Sequence, residues 1–336
     1  MDGTKIEWTD ATWNPVGGCS IKSPGCTNCY AQKMAGTRLA KHPLYAGTTS
    51  PSKAGPVFNG HLTIAPDYAA VWQWPLRWRG AKEPRRGAGA RSMIFVGDMS
   101  DLFHEDRPDC DIDRAFAVMA LAPQHDFQVL TKRAERMRQY MADLPIASAP
   151  GRIGRLLHAL SAAHNGDAFK LWQAQDRLIN WPLPNVMLGV SVEDQTRADE
   201  RIPLLLDTPA ARRFISAEPL IGPVRLRETL SSDGRGDWLA SGLSGERRGL
   251  DLVIIGGESG PNARPFNIGW ARDLINQCKP AGVACFVKQL GAVPIADRRP
   301  EFHASLGRDY QIYLKDKKGG DWSEWPPNLR VREFSA

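Results

Sequence analysis

Six short apolar segments, rich in β-branched and aromatic residues, recur at residues 93–96, 127–130, 186–190, 213–215, 252–255 and 284–287. Between them lie stretches of helical periodicity, among them 114–121, 134–141, 198–206 and 270–278. A helix between two strands returns the chain to the same end of a sheet, so this alternation implies parallel βαβ units. With one more strand feeding an N-terminal cysteine loop, it predicts an α/β fold: a partial or complete (β/α) barrel of parallel strands. A doubly wound sheet is the competing architecture.

The residues at the C-terminal end of each segment favour the barrel. Residues 93–96 run into Gly97-Asp98-Met99-Ser100-Asp101, 127–130 into Thr131-Lys132-Arg133, and 186–190 into Ser191-Val192-Glu193. Residues 213–215 run into Ser216-Ala217-Glu218, 252–255 into Gly256-Gly257-Glu258-Ser259, and 284–287 into Lys288-Gln289. Loops are polar in any protein. Six successive strand ends with groups able to bind or transfer charge nevertheless suit a barrel, whose active site is built at the C-terminal ends of its strands. Irregular insertions are expected at 46–91, rich in Gly, Pro and Trp, and at 146–184, with a helical stretch at 153–163. Residues 231–249 read as a Gly/Ser-rich loop. The expected barrel domain is 1–297, with a polar and aromatic extension, 298–336, packed on it.

Three of the six cysteines, Cys19, Cys26 and Cys29, fall within eleven residues beside Gly17, Gly18 and Gly25. No charged-then-apolar leader opens the sequence, and no apolar run reaches the roughly 18 residues of a membrane span. A cytoplasmic location and no membrane contact are therefore expected; a monomer is the favoured oligomeric state. There, clustered cysteines point to metal or redox chemistry rather than to disulfides. Thiolates are soft ligands for zinc or for an iron–sulfur cluster, and three of them leave one iron of a [4Fe–4S] cluster open. A closed zinc site needs a fourth ligand, for which His42 is a possible donor; the chain would then be a zinc-stabilised nucleic-acid-binding protein without catalysis. A Cys26–Cys29 dithiol leaves Cys19 unexplained. A zinc deaminase needs Pro directly before Cys-x-x-Cys and an upstream His-x-Glu. Here Gly25 separates Pro24 from Cys26 and no histidine precedes them, which excludes that class. Cys278 and Cys285 read as core packing, and Cys110 likewise as structural.

The blocks Trp13-Asn14-Pro15, Gly18-Cys19 and Gly25-Cys26-Thr27-Asn28-Cys29-Tyr30-Ala31 resemble an uncharacterised bacteriophage and bacterial family described as radical-SAM-like. So do the run from Asp98 to Asp106, Leu130-Thr131-Lys132-Arg133, Ser191-Val192-Glu193, Ser216-Ala217-Glu218-Pro219, Gly256-Gly257-Glu258-Ser259-Gly260 and Lys288-Gln289-Leu290-Gly291. The resemblance implies a [4Fe–4S] cluster on Cys19, Cys26 and Cys29, S-adenosylmethionine (SAM) as cofactor, and an external electron donor of the flavodoxin or ferredoxin type. It also implies a bacterial or phage-infected cell. The wider radical SAM superfamily uses Cys-x3-Cys-x2-Cys with an aromatic before the last cysteine. This chain departs from it: six residues separate the first pair, and Asn28 holds the aromatic position, with Tyr30 one step beyond.

Carried over position by position, the resemblance implies that Asp98 and Ser100 receive the SAM amino group. Lys132 or Arg133 would pair with its carboxylate, and Ser191 and Glu193 with the ribose hydroxyls. Gly256, Gly257, Glu218 and Glu258 would meet adenine or substrate. Glu218 and Glu258 are also candidates for catalysis, or for a plain ion pair with Arg133, Arg213 or Arg264. His104 reads as a proton donor or a solvated loop histidine, with the solvated reading favoured. The net charge of +6 and a phage association make a modified nucleobase in DNA the expected substrate; a small metabolite or peptide is the alternative. The reaction type, isomerase, lyase or transferase, stays open. Trp72, Trp74 and Trp78 interleave with Arg77, Arg79, Lys82, Arg85 and Arg86. Such a segment serves either as a nucleic-acid surface or, the favoured reading, as an anchor for the insertion.

Overall fold

Seven strands form one sheet: β1 (Ala11–Trp13), β2 (Ser92–Val96), β3 (His125–Thr131), β4 (Val186–Ser191), β5 (Arg212–Ala217), β6 (Leu252–Gly256) and β7 (Ala284–Gln289). The computed structural model describes residues 3–67, 69–142, 168–179, 181–226, 249–296 and 310–335. Strand order in the sheet follows chain order from β1 to β7, and the pairings β1–β2, β2–β3, β5–β6 and β6–β7 are all parallel. A doubly wound sheet reverses its order at a switch point. This one never does, so successive right-handed crossovers wind it one way, which is the topology of a partial (β/α) barrel.

The helices are α1 (Tyr30–Ala35), α2 (Ala70–Arg77), α3 (Asp109–Leu121), α4 (Ala134–Ala142), α5 (Ala168–Ile179), α6 (Gln195–Leu206) and α7 (Ile268–Ala281). All six expected strands and all four expected helical stretches form, each somewhat longer than its sequence pattern. The helix expected at 153–163 lies outside the described residues, as does most of the loop 231–249. Helix α5 lies in the second expected insertion, where the sequence pattern predicts no helix at those positions. The first insertion is less irregular than its composition suggests. It carries a hairpin (Thr49–Ser52 with Gly55–Phe58), a two-residue strand (Thr63–Ile64) paired with Val16–Gly17, and α2.

Two compact units make up the chain. The first comprises Met1–Ser23, Cys29–Gly189 and Asp207–Arg212. In it, every residue of β2 is buried, as befits a parallel strand covered on both faces. Trp13, fully buried, meets Trp72 and Phe127 edge-on, and Phe103, Phe116 and Tyr140 form a second aromatic cluster. The other unit comprises Pro24–Asn28, Val190–Leu206 and Arg213–Ala336. Its core is built on β5, β6 and β7, with α7 capped at Asn267, whose side chain accepts from the Gly269 N–H. The tail runs along β7: the Val287 N–H donates to Val331 O and the Leu290 N–H to Gly319 O, both at 2.8 Å. Among the described residues no helix is long and apolar enough to cross a membrane.

Candidate active site

In the first unit, three successive strand ends meet at Cys19. The chain leaves β1, and Gly18 forms a parallel bridge with Ser100, just past the end of β2. A side chain at Gly18 (φ 83°) would run into the His61 carbonyl, so only glycine lets the loop lie this close. From the end of β3 comes Arg133, 3% exposed. Its Nη1 donates to Cys19 Sγ at 3.6 Å and to Asp101 at 3.0 Å; Nε donates to Glu105 at 2.6 Å; Nη2 donates to Ser20 O and Oγ at 3.2 and 2.8 Å. All five guanidinium N–H groups are therefore spent inside the loop cluster. Burial works against the Arg133 charge, yet Asp101, Cys19 and Glu105 together push its pKa up. Glu105, opposed by burial, is held at about 2 by hydrogen bonds from Lys22 and Arg133. Lys132 is half-buried and donates its backbone N–H to Asp101 at 3.2 Å.

His104 is 2% exposed, which overturns the favoured reading of a solvated loop histidine. Its Nδ1 accepts from the Asp106 N–H at 3.2 Å, which leaves the proton of the neutral ring on Nε2, 2.7 Å from Ser20 Oγ. Burial first, then Arg133, lowers its pKa. Asp98 accepts from Asn14 at 2.5 Å and Tyr30 at 3.0 Å. Burial nevertheless raises its pKa, outweighing those hydrogen bonds and one from Thr12. Ser100 Oγ is buried without a hydrogen-bond partner among the described residues, an orphaned polar atom beside the cysteine loop.

The second unit holds the turn that carries Cys26. Asn28 Nδ2 donates to Glu258 Oε2 at 2.9 Å and to Asn262 O at 3.0 Å. Arg264 pairs with Glu258 and donates to Pro24 O at 3.0 Å. Burial raises the Glu258 pKa, but Arg264 and Asn28 bring it below the usual carboxylate range. Of the partners weighed for Glu258, the structure selects Arg264. Glu193, fully buried, binds Arg201 at 3.0 Å and lies so close to Gly25 that a Cβ there would strike its carboxylate. Ser191 contributes its carbonyl to Arg201 at 2.9 Å.

Glu218 pairs with Lys288 at 2.6 Å rather than with any of the expected arginines, and Gln289 also reaches it, at 3.4 Å. Adjacent strand residues normally point to opposite faces. Here the register shifts between Ile255 and Gly256, so Gly256 aligns with Gln289, and the irregularity brings both side chains to one carboxylate. A Cβ at Gly256 would lie 3.2 Å from Glu218, and one at Gly257 only 2.6 Å from Leu290 O.

Three residues of the site escape the sequence reading: Asp101, Glu105 and Arg201. The first two lie inside the quoted run 98–106, where their pairing with Arg133 has no local signature. Arg201 lies on α6 eight residues beyond Glu193, which precedes that helix, so no i,i+3 or i,i+4 spacing announces the pair. Cys278 and Cys285 are buried, as expected; Cys110 is exposed, contrary to its structural reading. Trp72 is buried in the core beside Trp13, Trp74 and Trp78 stack, and Trp78 lies on His125. Arg85 binds Thr9 O and Thr4 O, and Arg86 pairs with Asp126. His125 opens β3 and Arg133 lies just past its end, so this segment and the cysteine loop lie at opposite ends of that strand.

None of Cys19, Cys26 and Cys29 is in a disulfide, and each is half-buried. By donor chemistry alone, cysteine thiols suit an iron–sulfur group. Among the described residues, no three His, Cys, Asp or Glu side chains are gathered as a metal-binding group. No curated protein matches the sequence. A solved structure, a mutant of spore photoproduct lyase, is similar at 12% identity with a TM-score of 0.36, over 94% of this chain and 72% of that one. A family model described as "Protein of unknown function (DUF5131)" matches residues 3–319, and the chain belongs to that family.

Proposed function

We propose that the chain is a radical SAM enzyme that holds a [4Fe–4S] cluster on Cys19, Cys26 and Cys29 and takes an electron from an external flavodoxin- or ferredoxin-like donor. One observation carries the reading: the loop with Cys19 leaves the C-terminal end of β1, and the ends of β2 and β3 close on it through the Gly18–Ser100 bridge and Arg133. Such a cluster, with one iron lacking a thiolate, supplies the electron that cleaves SAM reductively.

The chain's own residues bind and orient. Ser100 Oγ, buried and unpartnered among the described residues, and Asp98 accept the amino group of SAM. Lys132 takes its carboxylate, because the N–H groups of Arg133 are committed. Glu193 and Ser191 brace the Cys26 turn and the neighbouring strand end, on the ribose side. Glu258, through Asn28, holds the Cys26–Cys29 turn where the superfamily pattern has an aromatic. Glu218 and Lys288 remain to face substrate as a coupled carboxylate and ammonium, for which a nucleobase in DNA is the class implied by the resemblance.

Anaerobic purification and SAM turnover under reduction test this. The protein should be brown, absorb broadly near about 400 nm, and release 5′-deoxyadenosine. Cys→Ala changes at Cys19, Cys26 or Cys29 should abolish the colour, and changes at Cys278 or Cys285 should not. Colourless protein with stoichiometric zinc would overturn the assignment.

A further inference from the structure

The tail between residues 310 and 322 exposes what a folded chain ordinarily hides. Tyr313 is 85% exposed, Tyr310 68% and Trp322 46%, three of the seven large apolar side chains exposed among the described residues. Tyr310 and Gln311 are pinned in an antiparallel pairing with Ala296 and Ile295, and the Ile312 N–H donates to Pro294 O at 2.8 Å. The tyrosines thus stand on ordered backbone. Lys315, Lys317 and Lys318 come next along the chain, all exposed and in no ion pair among the described residues. The nearby acids are engaged locally, with Asp321, exposed, accepting from the Ser323 N–H and hydroxyl. Asp316 accepts backbone N–H groups of Lys318, Gly320 and Asp321, and Glu324 those of Lys315 and Asp316.

A cavity of about 450 Å³ is lined by Tyr313, Asp316 and Lys317 together with Gly260, Pro261 and Gly291. That volume is in the roughly 300–1,000 Å³ range of ligand pockets. Gly260 and Gly291 (φ 104° and 78°) lie beyond the C-terminal ends of β6 and β7, the end at which singly wound sheets bind their ligands.

We infer that this tail is a docking surface for single-stranded nucleic acid, with Tyr310 and Tyr313 stacking on bases and Lys315, Lys317 and Lys318 holding the phosphates. Exposed aromatic faces followed along the chain by ammonium groups match unstacked bases on a polyanion. A duplex offers no free base faces, and an acidic peptide has no use for two bare rings. The cavity that Tyr313 lines takes one splayed base. The inference deepens the nucleobase reading above, but it does not depend on the cluster assignment.

Fluorescence anisotropy of a labelled oligonucleotide of about 20 nucleotides, titrated with the full chain as purified, tests it. Single strands should bind more tightly than the matching duplex. Tyr310→Ala with Tyr313→Ala should weaken binding about tenfold or more. Changing Lys315, Lys317 and Lys318 to Gln should lower the salt slope by about 2. Arg77→Gln with Arg79→Gln should change neither. The tyrosines and lysines are exposed, so an unchanged melting temperature controls for folding. Absence of single-strand binding, preference for the duplex, or tyrosine and lysine variants that bind like the parent would overturn the inference. A positive result with zinc-loaded, colourless protein would uphold it while removing the radical reading.

Discussion

The five N–H groups of Arg133 are divided among Glu105, Asp101, Cys19 and Ser20, so one side chain ties the ends of β2 and β3 to the cysteine loop. Lysine has three donors and no planar fork, and it cannot reproduce this. The same cluster predicts the acid response. Glu105, at about 2 in the folded chain against an ordinary 4.5, contributes stability above pH 4.5 that is lost as pH falls towards 2. Thermal melts across that window should show a falling midpoint, and Glu105→Gln should flatten the slope. His104 and His125, both lowered by burial, act earlier: the unfolded chain binds their protons more readily, so stability begins to fall below about pH 6.5. Of these residues Arg133 is legible as a strand-end cation, but its partners are not. Sequence shows which residues lie on a loop, and not how a guanidinium divides its donors.

At the level of elements, β6 and α6 carry the sharpest constraints. Glu193 and Arg201 form a fully buried pair, with Arg201 Nε and Nη2 unpartnered among the described residues. Removing one charge leaves the other stranded, so Arg201→Ala should cost about 3–5 kcal/mol in urea unfolding. Replacing both by apolar residues of similar volume should cost far less. Strands and helices are readable because parallel strands buried on both faces are continuous apolar runs, and their periodicity differs from that of the helices. The register shift at Gly256 is not readable, since nothing local announces that Lys288 and Gln289 will converge on Glu218. Nor is the role of Asn28: its amide bridges to Glu258, 230 positions away.

For the molecule as a whole, the two ends of the strands differ in chemistry. Trp74, Trp78 and His125 stack at the N-terminal end of β3, about seven residues at roughly 3.3 Å each from Arg133. Arg77→Ala with Arg79→Ala should therefore leave reductive SAM cleavage, measured as 5′-deoxyadenosine formed, within about twofold of the parent. Composition leaves that segment open to two readings, a binding surface or, the favoured one, an anchor for the insertion. Burial of Trp72 shows that much of its aromatic content is structural, whereas the exposed tyrosines of the tail draw no notice because two tyrosines and three lysines are ordinary in a sequence. The order of the sheet has a further consequence. Each strand pairs with the one made just before it, so a chain emerging N-terminus first can add strands vectorially, never holding an apolar edge for a partner still unsynthesised beyond the next crossover. Synthesis itself then rehearses the fold, and the tail bearing Tyr310 and Tyr313 is laid down on β7 last, once the strand it covers exists.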